Sequence, residues 1–129
     1  NIDFVACGSF HAICKSYSGE IFAWGSNDKG QLGINKKSYK KTKPVKCNDW
    51  PNNVVDIKCG ERHTLVLTSN QEVFSCGSGY YGQLGRDGIN NKYFAPSLQI
   101  IEGLKEIIRI ECGITHSFCI DINNELYVF

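Results

Sequence analysis

Three histidines pose the first chemical question in this chain. His11, His63 and His116 recur at spacings of 52 and 53 residues, each three residues after a glycine: Gly8, Gly60 and Gly113. Three imidazoles make a zinc site when they converge on one ion. These three come from equivalent points of successive repeats, and such points lie too far apart to share an ion when the repeats stand side by side. The better expectation is one structural hydrogen bond per histidine, because a buried polar group needs a partner. Neither a metal nor a cofactor is expected.

A second constellation is Gly77-Ser78-Gly79-Tyr80-Tyr81-Gly82, which spells the Gly-x-Gly-x-x-Gly pattern of dinucleotide sites. That chemistry needs the glycines between a strand and a helix whose N-terminus takes the phosphate. Here a polar loop follows instead, so tight turns are the expected use of the glycines. Cys14 and Cys119 each follow a motif histidine by three residues. In a strand that spacing puts the two side chains on opposite faces, which excludes a nucleophile and its base. Glu20, Glu72 and Glu125 recur beside turns and make no carboxylate pair. The chain is not expected to be an enzyme.

Charge and cysteine content narrow the classes further. Lys36, Lys37, Lys40, Lys41, Lys43 and Lys46 form one basic run around Tyr39, and residues 34–48 hold no acid. Such a run suits phosphate, an acidic partner or a nuclear address. A solvated loop between repeats is the plainer expectation, since the formal net charge is only +1. Nucleic acid or chromatin is therefore a weak partner expectation. The apolar runs are too short to span a bilayer, so no membrane partner is expected. Seven cysteines without a Cys-x-x-Cys pair argue against a disulfide framework and against a local zinc nucleus. Cys7, Cys59 and Cys112 precede the motif glycines and read as small buried hydrophobes in a reducing, intracellular compartment, cytoplasmic or nuclear.

The elements that position these residues are repeats. Residues 8–33 and 60–85 share ten identities in 26 ungapped positions. Each histidine opens a strand candidate rich in Thr, Val, Ile, Leu and Phe. A turn follows, holding Gly19, Asn70-Gln71 or Asn123-Asn124. A third strand then runs to Trp24-Gly25 and to Cys76-Gly77, while the third copy stops at Phe129. Two copies of one word come next, Gly30-Gln31-Leu32-Gly33 and Gly82-Gln83-Leu84-Gly85. The glutamines are suited to satisfy turn backbone groups and the leucines to plug the space between repeats. Short apolar pieces after Pro44 and Pro96 offer a fourth strand, with the proline at its start or on an edge. The expected fold is all-β: a partial β-propeller of antiparallel blades of about four strands, with a period of about 52 residues. The boundaries fall near 1–53, 54–106 and an incomplete 107–129 within a single partial domain, 1–129.

The combined pattern of Cys-Gly-x-x-His, a hairpin, Phe-x-Trp-Gly, Asn27 and Gly-Gln-Leu-Gly resembles the repeat of the regulator of chromosome condensation family. The resemblance covers nearly the whole chain. Cys76 replaces the usual aromatic residue, and Gly79 replaces the Asn27 of the first copy. The resemblance implies a seven-bladed propeller, of which about two and a half blades are present, as part of a longer chain. It implies a non-catalytic module that binds a protein partner through one face. It also makes His11, His63 and His116 candidate partner contacts, beside Lys36, Lys37, Lys40 and Lys41. The alternatives it raises are guanine-nucleotide exchange on a Ran-like small GTPase, and a regulatory propeller within a larger enzyme such as a ubiquitin ligase or a kinase.

Overall fold

A computed structural model describes residues 1–36, 38–86 and 94–129. Eleven strands form three antiparallel sheets among these residues. The first sheet holds β1 (Ile2–Cys7), β2 (His11–Ser16), β3 (Ile21–Ser26) and β4 (Lys40–Lys46), in that spatial order. The second repeats the order with β5 (Val54–Cys59), β6 (His63–Thr68), β7 (Val73–Ser78) and β8 (Phe94–Ile100). The third contains β9 (Ile107–Cys112), β10 (Ser117–Asp121) and β11 (Leu126–Val128). Each sheet is one blade, and the meander follows from short turns between sequence neighbours. Gln71 and Asn124 take positive φ at the β6–β7 and β10–β11 turns, as Gly19 does at β2–β3.

The core lies between blades. In β6 every residue is buried, because the strand is covered on both faces. Val66 joins Ile13, Ile21, Leu32, Trp50 and Ile57 in a cluster shared by the first two blades. Leu65 and Leu67 point the other way, into a second cluster with Val73, Ile107, Ile110 and Cys119. Alternation along one strand thus glues two interfaces at once. Burying each of these side chains contributes about 2 kcal/mol before the entropy of ordering is set against it.

The structure departs from expectation at two places. The lysine run is not a loop throughout: Lys40–Lys46 is the outer strand β4, paired through Phe22 with Lys46 and Ser26 with Lys40. Pro44 lies within that strand on the edge, one of the two positions expected, where its missing N–H costs no ladder bond. Cys7 is exposed, with Cys59 and Cys112 half-buried, because they end the inner strands β1, β5 and β9. The buried thiols are Cys14, Cys47, Cys76 and Cys119, and all seven cysteines are free.

The third and fourth strands share an irregularity. The β3–β4 register shifts between Ala23 and Gly25, and the β7–β8 register between Ser75 and Gly77. Gly25 has φ +100° and Gly77 +104°. A Cβ on Gly25 would lie 2.5 Å from the Phe10 carbonyl oxygen, so both backbone angle and space require glycine there.

Candidate functional site

In a meander, the β1–β2 and β3–β4 connections leave from the same end of the blade. The corresponding connections of the second blade do likewise, and so does that between β9 and β10. This end carries all three Gly-x-x-His motifs and both Gly-Gln-Leu-Gly words.

The histidines at this end are mostly internal. His11 is 4 % exposed and His63 0 %. The His11 Nε2 lies 2.8 Å from Thr64 Oγ1 on the next blade. The Thr64 hydroxyl donates to the Gln31 carbonyl at 2.7 Å, back on the first blade. Its single proton is thereby committed, so it accepts from His11 Nε2–H. The second interface repeats the arrangement: His63 Nε2 donates to Ser117 Oγ at 3.0 Å, and Ser117 donates to the Gln83 carbonyl at 2.7 Å. Each relay runs from one blade to the next and returns.

The glycine of the motif makes room for the ring. A Cβ on Gly8 would lie 2.7 Å from His11 Cε1, and one on Gly60 would strike both Cε1 and Nδ1 of His63. The Nδ1 atoms of both rings have no hydrogen-bond partner, which fits the neutral Nε2–H form. Burial pushes the pKa of His11 down to about 4, helped by the charge of His63. Burial likewise takes His63 to about 4; a hydrogen bond with the His116 backbone opposes the shift and the charge of His116 adds to it.

The two rings expected to contact a partner, His11 and His63, are thus turned into the joints between blades. His116 is exposed in the third blade. Among the described residues no three His, Cys, Asp or Glu side chains are placed to hold a metal.

The Gly-Gln-Leu-Gly words are joints. Gln31 Oε1 accepts the Lys29 N–H at 2.9 Å, and Gln83 Oε1 accepts the Tyr81 N–H at 2.8 Å. Leu32 and Leu84 are buried between blades. Gly33 lies against Cys76 and Trp50, whose Nε1 donates to the Gly33 carbonyl at 3.1 Å; Gly85 lies against Phe129. The Gly77–Gly82 run leads into turns, and no helix follows it among the described residues.

The accessible chemistry sits above these joints. Arg62 donates to Asp28 Oδ2 at 2.7 Å across the first interface, and its guanidinium lies 5.2 Å from the centre of the Phe10 ring. Burial pushes the Asp28 carboxyl upward, but hydrogen bonds from Ser26 and Gln31 and the charge of Arg62 outweigh it and hold it below its ordinary value. Phe10, Tyr39, Tyr80, Tyr81 and Ile114 are all more than half exposed at this end. Tyr80 and Tyr81 pack edge to face at 5.0 Å.

Of the lysines expected to bind a partner, Lys36 lies in the β3–β4 connection and Lys40 and Lys41 open β4. Lys37 lies outside the described residues. Asn27 fixes the path of this connection. Its Oδ1 accepts from Leu32 N at 3.1 Å, while its Nδ2 donates to the Lys36 carbonyl at 3.1 Å and to Ser38 Oγ at 3.2 Å.

Sequence reasoning missed the hydroxyls of Thr64 and Ser117, although the signal was available. They are the residues directly after His63 and His116, where the first copy has Ala12. The Asp28–Arg62 pair had no such signal, because its equivalents in the next repeat are Tyr80 and Thr115.

Comparison with known proteins agrees with this architecture. The family model described as the regulator of chromosome condensation (RCC1) repeat matches residues 18–67 and 70–120. A second model of the same description matches 2–31 and 54–83. The chain is 34% identical over 116 residues to the serine/threonine-protein kinase Nek9 of Mus musculus, covering 88% of this chain and 12% of that protein. It is 39% identical over 116 residues to the probable E3 ubiquitin-protein ligase HERC3 of Homo sapiens, covering 88% of this chain and 11% of that protein. Its fold matches the crystal structure of Prp20p from Saccharomyces cerevisiae with a TM-score of 0.88 at 21% identity, over 99% of this chain and 33% of that one. The chain thus spans only about an eighth of the curated relatives and a third of the solved propeller. On the repeat pattern, the blade geometry and the family match together, the chain belongs to the regulator of chromosome condensation (RCC1) repeat family.

Proposed function

We propose that this chain is a non-catalytic protein-interaction module, the part of a β-propeller whose Gly-x-x-His end grips a protein partner inside the cell. The observation that carries this reading is the exposed cluster of Phe10, Tyr39, Tyr80, Tyr81 and Ile114 at one end of interlocked blades. Aromatic and arginine side chains supply much of the binding energy at interfaces, and loops on a rigid scaffold are their usual carriers. Arg62, held by Asp28 and stacked near Phe10, adds an ordered polar contact. His116, Lys36, Lys40 and Lys41 lie at the same end and join the proposed surface.

Two finer readings compete within this one. The kinase and ubiquitin-ligase relatives favour a regulatory propeller within a larger enzyme. The likeness to Prp20p, a protein with binding properties to Gsp1p and histones, favours a partner of one of those kinds, for exchange a small GTPase. The test uses the full-length protein carrying Phe10→Ala, Tyr80→Ala and Ile114→Asp together, with Tyr17→Ala at the opposite end as control. Partners recovered with the unaltered protein are purified and rebound to each variant. Loss with the triple variant alone supports the module; equal binding by all three forms overturns it. GDP release from purified small GTPases then separates exchange from regulation.

A further inference from the structure

A cavity of about 530 Å³ opens between the first two blades at this same end. Its floor is the Phe94 ring and Pro96, brought in from β8 of the second blade. An Ile34–Ser97 bridge and the Asn35 N–H on the Pro96 carbonyl, at 2.9 Å, bind the first blade's loop to that strand. Lys29, Lys36 and Tyr39 form the rim. The Lys29 ammonium stands 5.0 Å from the centre of the Phe94 ring. Tyr39 is 86 % exposed.

Three properties of this cavity converge. Its size is that of a ligand pocket, not of a surface dimple. Its rim is built in advance: the Asn27 N–H holds the Tyr39 carbonyl at 2.7 Å and the Asn27 amide holds the Lys36 carbonyl, so little ordering remains to be done on binding. Its charge is only partly answered: Asp28 lines the cavity and feels the Lys29 charge, but Lys29, Lys36, Lys40 and Lys41 form no salt bridge among the described residues, whereas Lys15, Lys46, Lys58 and Arg62 all do. The second blade has Gly79 in place of Asn27, and its outer strand Phe94–Ile100 carries no lysine.

We propose that the cavity between the first two blades receives an acidic protein segment, with one apolar side chain seated on Phe94 and Pro96 and its carboxylates on Lys29 and Lys36. The inference rests on the reading of this end as a protein-binding face and names the chemistry of what it binds. Nucleic acid is the poorer fit. A polyanion needs a basic track along its backbone, and here the Asp28 carboxylate lines the same cavity and the facing strand Phe94–Ile100 carries no lysine.

The test measures fluorescence anisotropy of the full-length protein with a labelled peptide of about ten residues, Asp and Glu around a single Phe. A peptide with Lys in place of every acid and an oligo-dT of about 20 nucleotides serve as rivals. The acidic peptide is expected to bind, and Lys29→Glu with Lys36→Glu to weaken it at least about tenfold. Phe94→Ala should weaken it comparably, and Lys105→Glu should leave it unchanged. Circular dichroism confirms that each variant is folded. Undiminished binding to the double variant overturns the proposal, as does tighter binding of oligo-dT. Failure of the acidic peptide to bind, while the triple variant above still loses its partner, overturns this inference alone. Failure of both overturns the module reading as well.

Discussion

At the scale of single residues, the hydroxyls of Thr64 and Ser117 join the blades. Thr64→Val keeps the shape and removes both hydrogen bonds, leaving His11 Nε2–H buried and unpaired and the Gln31 carbonyl with only the weak Cys76 thiol donor at 3.6 Å. An orphaned buried donor costs about 1–3 kcal/mol, so urea unfolding should show a loss of about that size. Thr64→Ser, which keeps the hydroxyl, should recover most of it. The histidines also make stability depend on pH. In the folded protein both rings stay neutral down to about 4. In the unfolded chain they protonate near 6.5, so the unfolded state binds more protons between those values. Stability therefore falls as pH drops through that window, by about 3 kcal/mol for each ring. A stability profile flat from pH 6.5 to 4.5 would contradict this. The Gly-x-x-His spacing made a repeated bond legible in the sequence. It concealed the acceptor, because the hydroxyl lies one repeat further along the chain.

At the scale of elements, most strands were legible because their apolar residues sit in repeating register. The strand β4 was legible only as the short apolar piece after Pro44, since an outer strand has little to bury. Its Lys40, Lys43, Pro44 and Lys46 are exposed, and they blunt an edge that would otherwise pair with another chain. Replacing Lys40 and Lys43 with Val should leave thermal stability nearly unchanged but raise light scattering on concentration. Glycine positions behave differently. Gly60→Ala drives a methyl group into the His63 ring, and the ring has no free space to enter. That substitution should abolish cooperative unfolding or lower the melting temperature by several degrees, as an overpacked core does. The same change at Gly82, whose added Cβ meets nothing within 4 Å, costs only the strain of its positive φ.

At the scale of the whole molecule, stability resides in the joints, since each blade is a thin sheet with its apolar faces turned to its neighbours. The two joints share the leucine plug and the relay but differ at the surface. The first has the Asp28–Arg62 ion pair; the second has Tyr80 and Tyr81 near Ile114 and Thr115. A partly exposed pair contributes about 0–1 kcal/mol, so Asp28→Asn should change stability little while loosening Arg62 on the binding face. Leu32→Ala, by contrast, opens a cavity in the joint and should cost about 2–5 kcal/mol in denaturant unfolding. The repeat made the blades and their order readable. It could not reveal the surface that sets this chain apart, because that surface is built from the positions where the copies disagree: Asn27 against Gly79, Asp28 against Tyr80, and a lysine-rich outer strand against one without lysine.

The direction of the relays gives the repeats an address. His11 and His63 each find a hydroxyl on the blade that follows, Thr64 and Ser117, at the position held in the first copy by Ala12. The middle unit satisfies the rule on both sides, and the first satisfies it only on its trailing side. Residues 54–106 could therefore be duplicated in tandem with the lock intact, His63 meeting a second Thr64. A tandem copy of residues 1–53 would set His11 against a methyl group and strand the carbonyl of Gln31. Recombination among such repeats is thus constrained in order as well as in number.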